Sequence, residues 1–398
     1  MDETMQEYRT IFTDNPAKAE KQLYKLAKKG DLNALSALNE YYEKCVTEAK
    51  TPKESAKIRQ KALKTALLGA AKNSPYWLIF VGEMYRYGVG TEKNEKKAFS
   101  YYEKAAALGD VDGIVKVGRA YMNGIGVPED YEKSLCFFEM AAEQDYAEAM
   151  ILIAYQYENG KGVKADYERA LNWLTRAERS CGRRLKGELS EKDRNYYESL
   201  LEDVNRQRWH CESVTCVEMI GKEDCPMEQR QQAFSQLSEL AHEKGDLRAQ
   251  VSMGILYEEG TFVEQDERKA LEYYLMAAGN GSTGAMNNIG NFYLHGKGVE
   301  KDYDQAFAWY QKATELSGNA AAECSLGMCY QYGYGTKIDY EKARSFYELS
   351  AKQGLGLAYY RIGLLYEQGL GVAKDIRIAK QYFGEALHRG CREAALKL

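Results

Sequence analysis

A glycine-rich turn returns along this chain at a nearly constant interval. Its turn glycine falls at Gly88, Gly124, Gly160, Gly260, Gly296, Gly333 and Gly369, at intervals of 36, 36, 100, 36, 37 and 36 residues. A period of this size specifies a stacked array in which each block packs on its neighbours, not a globule around one core. The expectation therefore moves toward binding and away from catalysis.

One block, residues 111–145, shows how the array is written. Its first helix should run from Val111 to Met122, with Ile114, Val117, Ala120 and Tyr121 at helical spacing. Gly118 sits inside that pattern and lowers helix propensity by roughly 1 kcal/mol against Ala. A glycine there indicates close approach of another helix. It recurs as Gly82, Gly254, Gly290, Gly327 and Gly363, with Ala154 in the third block. Gly124-Ile125-Gly126-Val127 then ends the helix, since a glycine takes the left-handed cap without a steric cost. The apolar residue that follows (Val127, Val163, Val263, Val299, Val372) can fold back onto the pair. Asp130-Tyr131 opens the second helix and returns as Asp166-Tyr167, Asp302-Tyr303 and Asp339-Tyr340, where Asp is a strong N-cap. That helix alternates aromatics with small residues, as in Ser134, Phe137, Phe138, Ala141 and Ala142, or Ala306, Trp309, Tyr310 and Ala313.

The pattern L-G-x-x-Y-x-x-G-x-G-V, followed by D-Y-x-K-A-x-x-W/Y-Y-x-K-A-A, closely resembles the Sel1-like repeat family, a relative of tetratricopeptide repeats. Lys301-Asp302-Tyr303-Asp304-Gln305-Ala306 followed by Trp309-Tyr310-Gln311-Lys312-Ala313 matches it nearly in full. The resemblance covers seven repeats, roughly 75–178 and 245–388. It implies an all-α fold, a right-handed superhelical solenoid of antiparallel helix pairs. It also implies an adaptor or scaffold surface, with the first helices lining a concave face.

The period fails in two places. Residues 1–74 read as degenerate repeats forming an N-terminal cap, with a polar connector at 46–54 and a helix from Lys53 to Lys72. Residues 179–244 read as one expanded, irregular repeat or a hinge. Within them a helix is expected from Glu191 to about Arg208, an irregular stretch from Trp209 to Pro226, and a helix from Met227 to Lys244. Residues 389–398, notably Cys391 to Leu398, read as a final capping helix.

Composition narrows the function. Of the 35 glycines most sit at helix junctions, many of the 32 tyrosines recur at repeat positions, and 5 prolines suit a helical chain. A net charge of −5 shows no basic bias toward nucleic acid. The start, Met1-Asp2-Glu3-Thr4-Met5-Gln6-Glu7, is acidic and lacks the apolar run of a signal peptide. No window reaches a membrane span, so the expectation is a cytoplasmic protein without a membrane partner. Most of the 9 cysteines should be free thiols in a reducing compartment. His210, Cys211, Cys216 and Cys225, with Cys181 further off, offer the residue types of a zinc site. Cys211 and Cys216 have a permitted separation, but no second pair matches, so no metal is expected. The glycine turns match no phosphate-binding motif. His242, His295 and His388 are scattered and accompany no nucleophile motif, so no catalytic residue and no cofactor is expected.

Specificity should lie where the repeats differ. Counted from the small residue of each first helix, positions −2, +1 and +5 share one face. The −2 row is Phe80, Lys116, Leu152, Ser252, Asn288, Ser325, Arg361. The +1 row is Glu83, Arg119, Tyr155, Ile255, Asn291, Met328, Leu364, of which Ile255 and Leu364 read as packed. The +5 row is Tyr87, Asn123, Asn159, Glu259, His295, Tyr332, Gln368. The candidate partner-binding residues are Glu83, Tyr87, Lys116, Arg119, Asn123, Tyr155, Asn159, Asn288, Asn291, His295, Met328, Tyr332, Arg361 and Gln368, since aromatics, Met and Arg favour interfaces. The competing reading is a solvated face. The expected function is a non-catalytic scaffold or adaptor that binds a protein or peptide in a preformed groove. The alternatives are a regulatory or substrate-recruiting subunit of a separate enzyme, or a host-directed bacterial effector of the kind seen among similar repeat proteins. The pattern specifies no oligomeric state.

Overall fold

Each turn glycine closes one helix and each following cap opens the next, so the chain folds as a succession of helical hairpins. The computed structural model describes residues 3–316 and 318–398, and no strand occurs among them. The chain divides into two packed units, the first ending at Cys211 and the second starting at Glu212. The first unit holds α1 (Glu3–Asp14), α2 (Pro16–Lys29), α3 (Leu32–Glu48), α4 (Pro52–Ala70), α5 (Pro75–Tyr87), α6 (Glu95–Ala107), α7 (Val111–Asn123), α8 (Tyr131–Glu143), α9 (Ala147–Asn159) and α10 (Tyr167–Leu185). The boundary falls within α11 (Glu191–Gly221). The second unit continues with α12 (Met227–His242), α13 (Leu247–Glu259), α14 (Glu267–Gly279), α15 (Thr283–His295), α16 (Tyr303–Leu316), α17 (Ala320–Tyr332), α18 (Tyr340–Lys352), α19 (Gly356–Gln368) and α20 (Ile376–His388), then a 3-10 helix, Arg392–Lys397.

The α7–α8 hairpin shows why these residues fold this way. Gly124 adopts φ 66° and its N–H reaches the Ala120 carbonyl, ending α7. The Asp130 N–H then donates to the Tyr121 carbonyl at 2.9 Å, and its carboxylate accepts from the Lys133 N–H at 2.9 Å. The bond from cap to tyrosine carbonyl recurs at Asp166–Tyr157, Asp266–Tyr257 and Asp339–Tyr330. The expected close approach is present: a Cβ on Gly118 would lie 2.6 Å from the Phe138 ring. Equivalent rings cover Gly82 (Tyr102), Gly290 (Tyr310) and Gly327 (Tyr347). Where α9 has Ala154 instead, the matching residue of α10 is the smaller Leu174, and both are fully buried in one cluster. Numbering rises along α5 as it falls along α6, Gly82 meeting Tyr102 and Tyr85 stacking on Tyr101, so the pair is antiparallel. Similar stacks join Tyr121 to Phe137 and Tyr257 to Tyr273. Val127, Val163, Val299 and Val372 fold back onto their hairpins as expected.

The aperiodic segments differ from expectation. The connector expected at 46–54 shrinks, because α3 runs to Glu48 and α4 starts at Pro52 with Thr51 capping the Glu54 N–H. The irregular stretch expected after Arg208 is helical: α11 continues to Gly221. Apart from Ile220, its inward positions there are small or polar. Cys211 closes the first unit's core with Val204, while Ser213, Cys216 and Ile220 are buried at spacings of three and four. The Ser213 hydroxyl donates to the Asp246 carboxylate at 2.6 Å. Such residues leave no hydrophobic stripe for sequence patterning to detect. The C-terminal segment, expected as a capping helix, is the 3-10 helix Arg392–Lys397.

None of the nine cysteines forms a disulfide. Burial pushes Cys324 and Cys329 up to about 12, and Cys181 and Cys216 up to about 11, so their thiolate forms are suppressed near neutrality. Cys136 is exposed. Alkylation of the native protein at about pH 8 should label Cys136 first and leave Cys324 and Cys329 unmodified until denaturant is added. Peptide mapping reads this directly, and early labelling of Cys329 in native buffer would contradict the packing.

Candidate partner-binding surface

In the first unit, α5, α7 and α9 are the first helices of successive hairpins, and row residues of α5 and α7 line two hollows. One, of about 400 Å³, is lined by Tyr76, Ile79 and Phe80 of α5, by Asp112, Val115, Lys116 and Arg119 of α7, and by Glu83, Asp110, Tyr146 and Glu148. The other, of about 390 Å³, lies between α3, α4 and α5, where Tyr42, Val46, Ala62, Met84 and Tyr87 contribute most of its apolar wall. Phe80 and Glu83 line both, so the hollows adjoin. Tyr76 and Tyr87 are exposed (61% and 65%), whereas Phe80 is half-buried and stacks on Tyr76.

Several polar members of the rows bind one another. The Lys116 ammonium sits 2.8 Å from Glu83, whose carboxylate also accepts the Tyr102 hydroxyl at 2.8 Å. The Arg119 guanidinium pairs with Glu148 on the next hairpin. Asn123 and Asn159 donate to the carbonyls of Arg119 and Tyr155, one turn back on their own helices. At the mouth of the first hollow the Tyr146 hydroxyl donates to Asp112 at 2.5 Å, and Tyr196 donates to Glu148 at 3.1 Å. The Tyr146 phenol is pushed well above its ordinary value, first by burial and then by its bond to Asp112 and the charge of Glu148. Tyr76 is also pushed up, by burial and by the charges of Glu43 and Glu40.

In the second unit the same rows serve varied ends. Asn291 accepts the buried Tyr310 hydroxyl at 2.7 Å, which accounts for its residue type through packing. Arg361 donates to the Tyr332 hydroxyl at 3.2 Å. Ser325 is buried and donates to Asn287 at 3.0 Å. Met328 and Leu364 pack at the edges of their clusters, while Ile255, read from sequence as packed, is 38% exposed. Asn288 is half-buried, and His295, Tyr332 and Gln368 are exposed.

Of the candidate residues, Glu83, Tyr87, Lys116 and Arg119 come together around the hollows. Asn123, Tyr155 and Asn159 line neither. Sequence reasoning missed Tyr76, Asp112 and Glu148, and it placed Phe80 in the −2 row without counting it among the candidates. The first three occupy position −6 of their helices, so continuing the spacing by one turn from −2 would have reached them. No group of His, Cys, Asp and Glu suited to a metal ion occurs among the described residues, and His210 lies 3.0 Å from Glu158. No described helix is long and apolar enough to cross a membrane.

The sequence matches the Sel1 repeat at seven stretches, residues 78–110, 111–146, 147–180, 247–282, 283–317, 320–355 and 356–391. No curated protein matches it. Among solved structures, a Sel1 repeat protein from Oxalobacter formigenes aligns over 90% of this chain and 94% of its own, with 23% identity and a TM-score of 0.58. The protective antigen c5321 of uropathogenic Escherichia coli, described as having an SLR fold, aligns over 99% of this chain and 89% of its own, with 22% identity and a TM-score of 0.45. Cysteine-rich protein B of Helicobacter pylori aligns over 33% of this chain and 90% of its own, with 25% identity and a TM-score of 0.25.

Proposed function

This chain belongs to the Sel1 repeat family, whose members generally mediate protein–protein interaction, and on that premise we propose that it is a non-catalytic scaffold holding a peptide segment of a partner protein in the two hollows of its first unit. The carrying observation is the pair of adjoining hollows, about 400 and 390 Å³, that share Phe80 and Glu83. Each lies in the size range of ligand sites, and together they offer apolar wall beside fixed charges. Both are open in the chain by itself, so an incoming segment requires little rearrangement of the receptor. Tyr76 and Tyr87 stand exposed, one beside each hollow, as large groups of low conformational entropy suited to an interface.

The test is a selection of displayed random peptides on the full chain, followed by anisotropy titration of the winners. Tyr76→Ala combined with Tyr87→Ala should weaken them by about tenfold or more, as loss of aromatic anchors does. Both side chains are exposed, so the circular dichroism and melting of the variant should match the parent. Winners that bind the folded double variant unchanged would remove the hollows as the binding site.

A further inference from the structure

Resting on that reading, we infer that the segment held in the first unit is basic, with an arginine or lysine side chain entering the hollow between α5, α7 and the start of α9. The charges lining this hollow are four carboxylates, Glu83, Asp110, Asp112 and Glu148, against two cations, Lys116 and Arg119. Both cations are already engaged, Lys116 with Glu83 and Arg119 with Glu148. That leaves Asp110 and Asp112 as the charges without a cationic partner. Asp110 accepts the Gly113 N–H as the cap of α7, and Asp112 accepts the Tyr146 hydroxyl, so both are held in place by donors that carry no formal charge, and beyond the dipole of α7 neither meets a cation.

The aromatic lining favours the same occupant. Tyr76, which is exposed, and Tyr146, whose hydroxyl is tethered to Asp112, line the same hollow, so a cation reaching Asp112 enters among aromatic side chains as well as carboxylates. Cation–aromatic and cation–carboxylate attractions then act on one group. An acidic segment would instead meet two unneutralised carboxylates, with the nearby cations already taken. The adjoining hollow, walled by Tyr42, Val46, Met84 and Tyr87, is suited to an apolar side chain of the same segment. The recognition element is thus a basic residue with an apolar residue close to it in sequence.

The probe is the set of selected peptides, resynthesised with each arginine replaced by citrulline, which keeps the shape and removes the charge. Binding should fall about tenfold for citrulline at the recognised position and about fivefold for Asp112→Asn with the arginine peptide, and it should weaken as salt is raised. Asp112 is exposed, so its amide variant is expected to fold, and circular dichroism checks this. With the citrulline peptide, Asp112→Asn should have no further effect. Equal binding of arginine and citrulline peptides, both still lost on Tyr76→Ala with Tyr87→Ala, overturns the basic-segment inference and leaves the hollows as the site. Winners indifferent to the double tyrosine variant overturn the site and the inference together.

Discussion

Tyr310→Ala should lower the unfolding free energy by about 3–5 kcal/mol, the range for deleting a buried aromatic ring. Tyr310 is fully buried, and its ring lies where a Cβ on Gly290 would come within 2.3 Å. Removing it therefore opens a void between the two helices of a hairpin that a glycine has narrowed to fit that ring, and the backbone can close only part of the gap. Tyr310→Phe keeps the ring and loses only the bond to Asn291, so it should cost about 1 kcal/mol. Urea titration followed by circular dichroism separates the two. Because each hairpin rests only on its neighbours, the alanine variant should also lose cooperativity, visible as a reduced slope of the transition. Equal costs for the two variants would show that the hydroxyl, not the ring, is what the packing needs.

Gly126→Ala should destabilise by about 2–4 kcal/mol, combining left-handed backbone strain with a collision. Gly126 has φ 75°, and a Cβ there would lie 2.2 Å from the Glu95 carbonyl oxygen at the start of α6. That oxygen belongs to backbone and cannot swing aside as a side chain would. Gly109 provides the matched control: its φ is 80°, yet an added Cβ meets nothing within 4 Å. Gly109→Ala should therefore cost only the strain, about 1 kcal/mol. Thermal or urea unfolding of the two variants measures the difference, and equal destabilisation would show that successive hairpins do not approach as closely at this turn as the geometry requires.

The hairpins were legible because their signals are local. A glycine past the last turn, an Asp at the next helix start and a small residue facing a ring each satisfy a requirement arising within one repeat. The caps at Asp130, Asp166 and Asp339 could therefore be named from sequence. The course of α11 was not legible, because its inward positions after Arg208 include Cys211, Ser213 and Cys216, which show no strong apolar periodicity. The candidate surface was legible in part. The rows pointed to Lys116 and Arg119, but not to the ion pairs that engage them, since Glu83 and Glu148 come from neighbouring hairpins. Nor did they reach Asp112 and Tyr76, one helical turn beyond where the rows began.

By itself the sequence determined the period, the helix pairs and their caps, because those depend on backbone conformation and on contacts within a single repeat. The tertiary structure alone decided which variable residues neutralise one another and which charges stay uncompensated. That outcome depends on the distance between side chains on adjacent hairpins, set by how closely the glycines let the helices approach. Lys116 and Arg119 look like free cations along the chain, yet across the stack each meets a carboxylate, and the charge left over at Asp110 and Asp112 is negative.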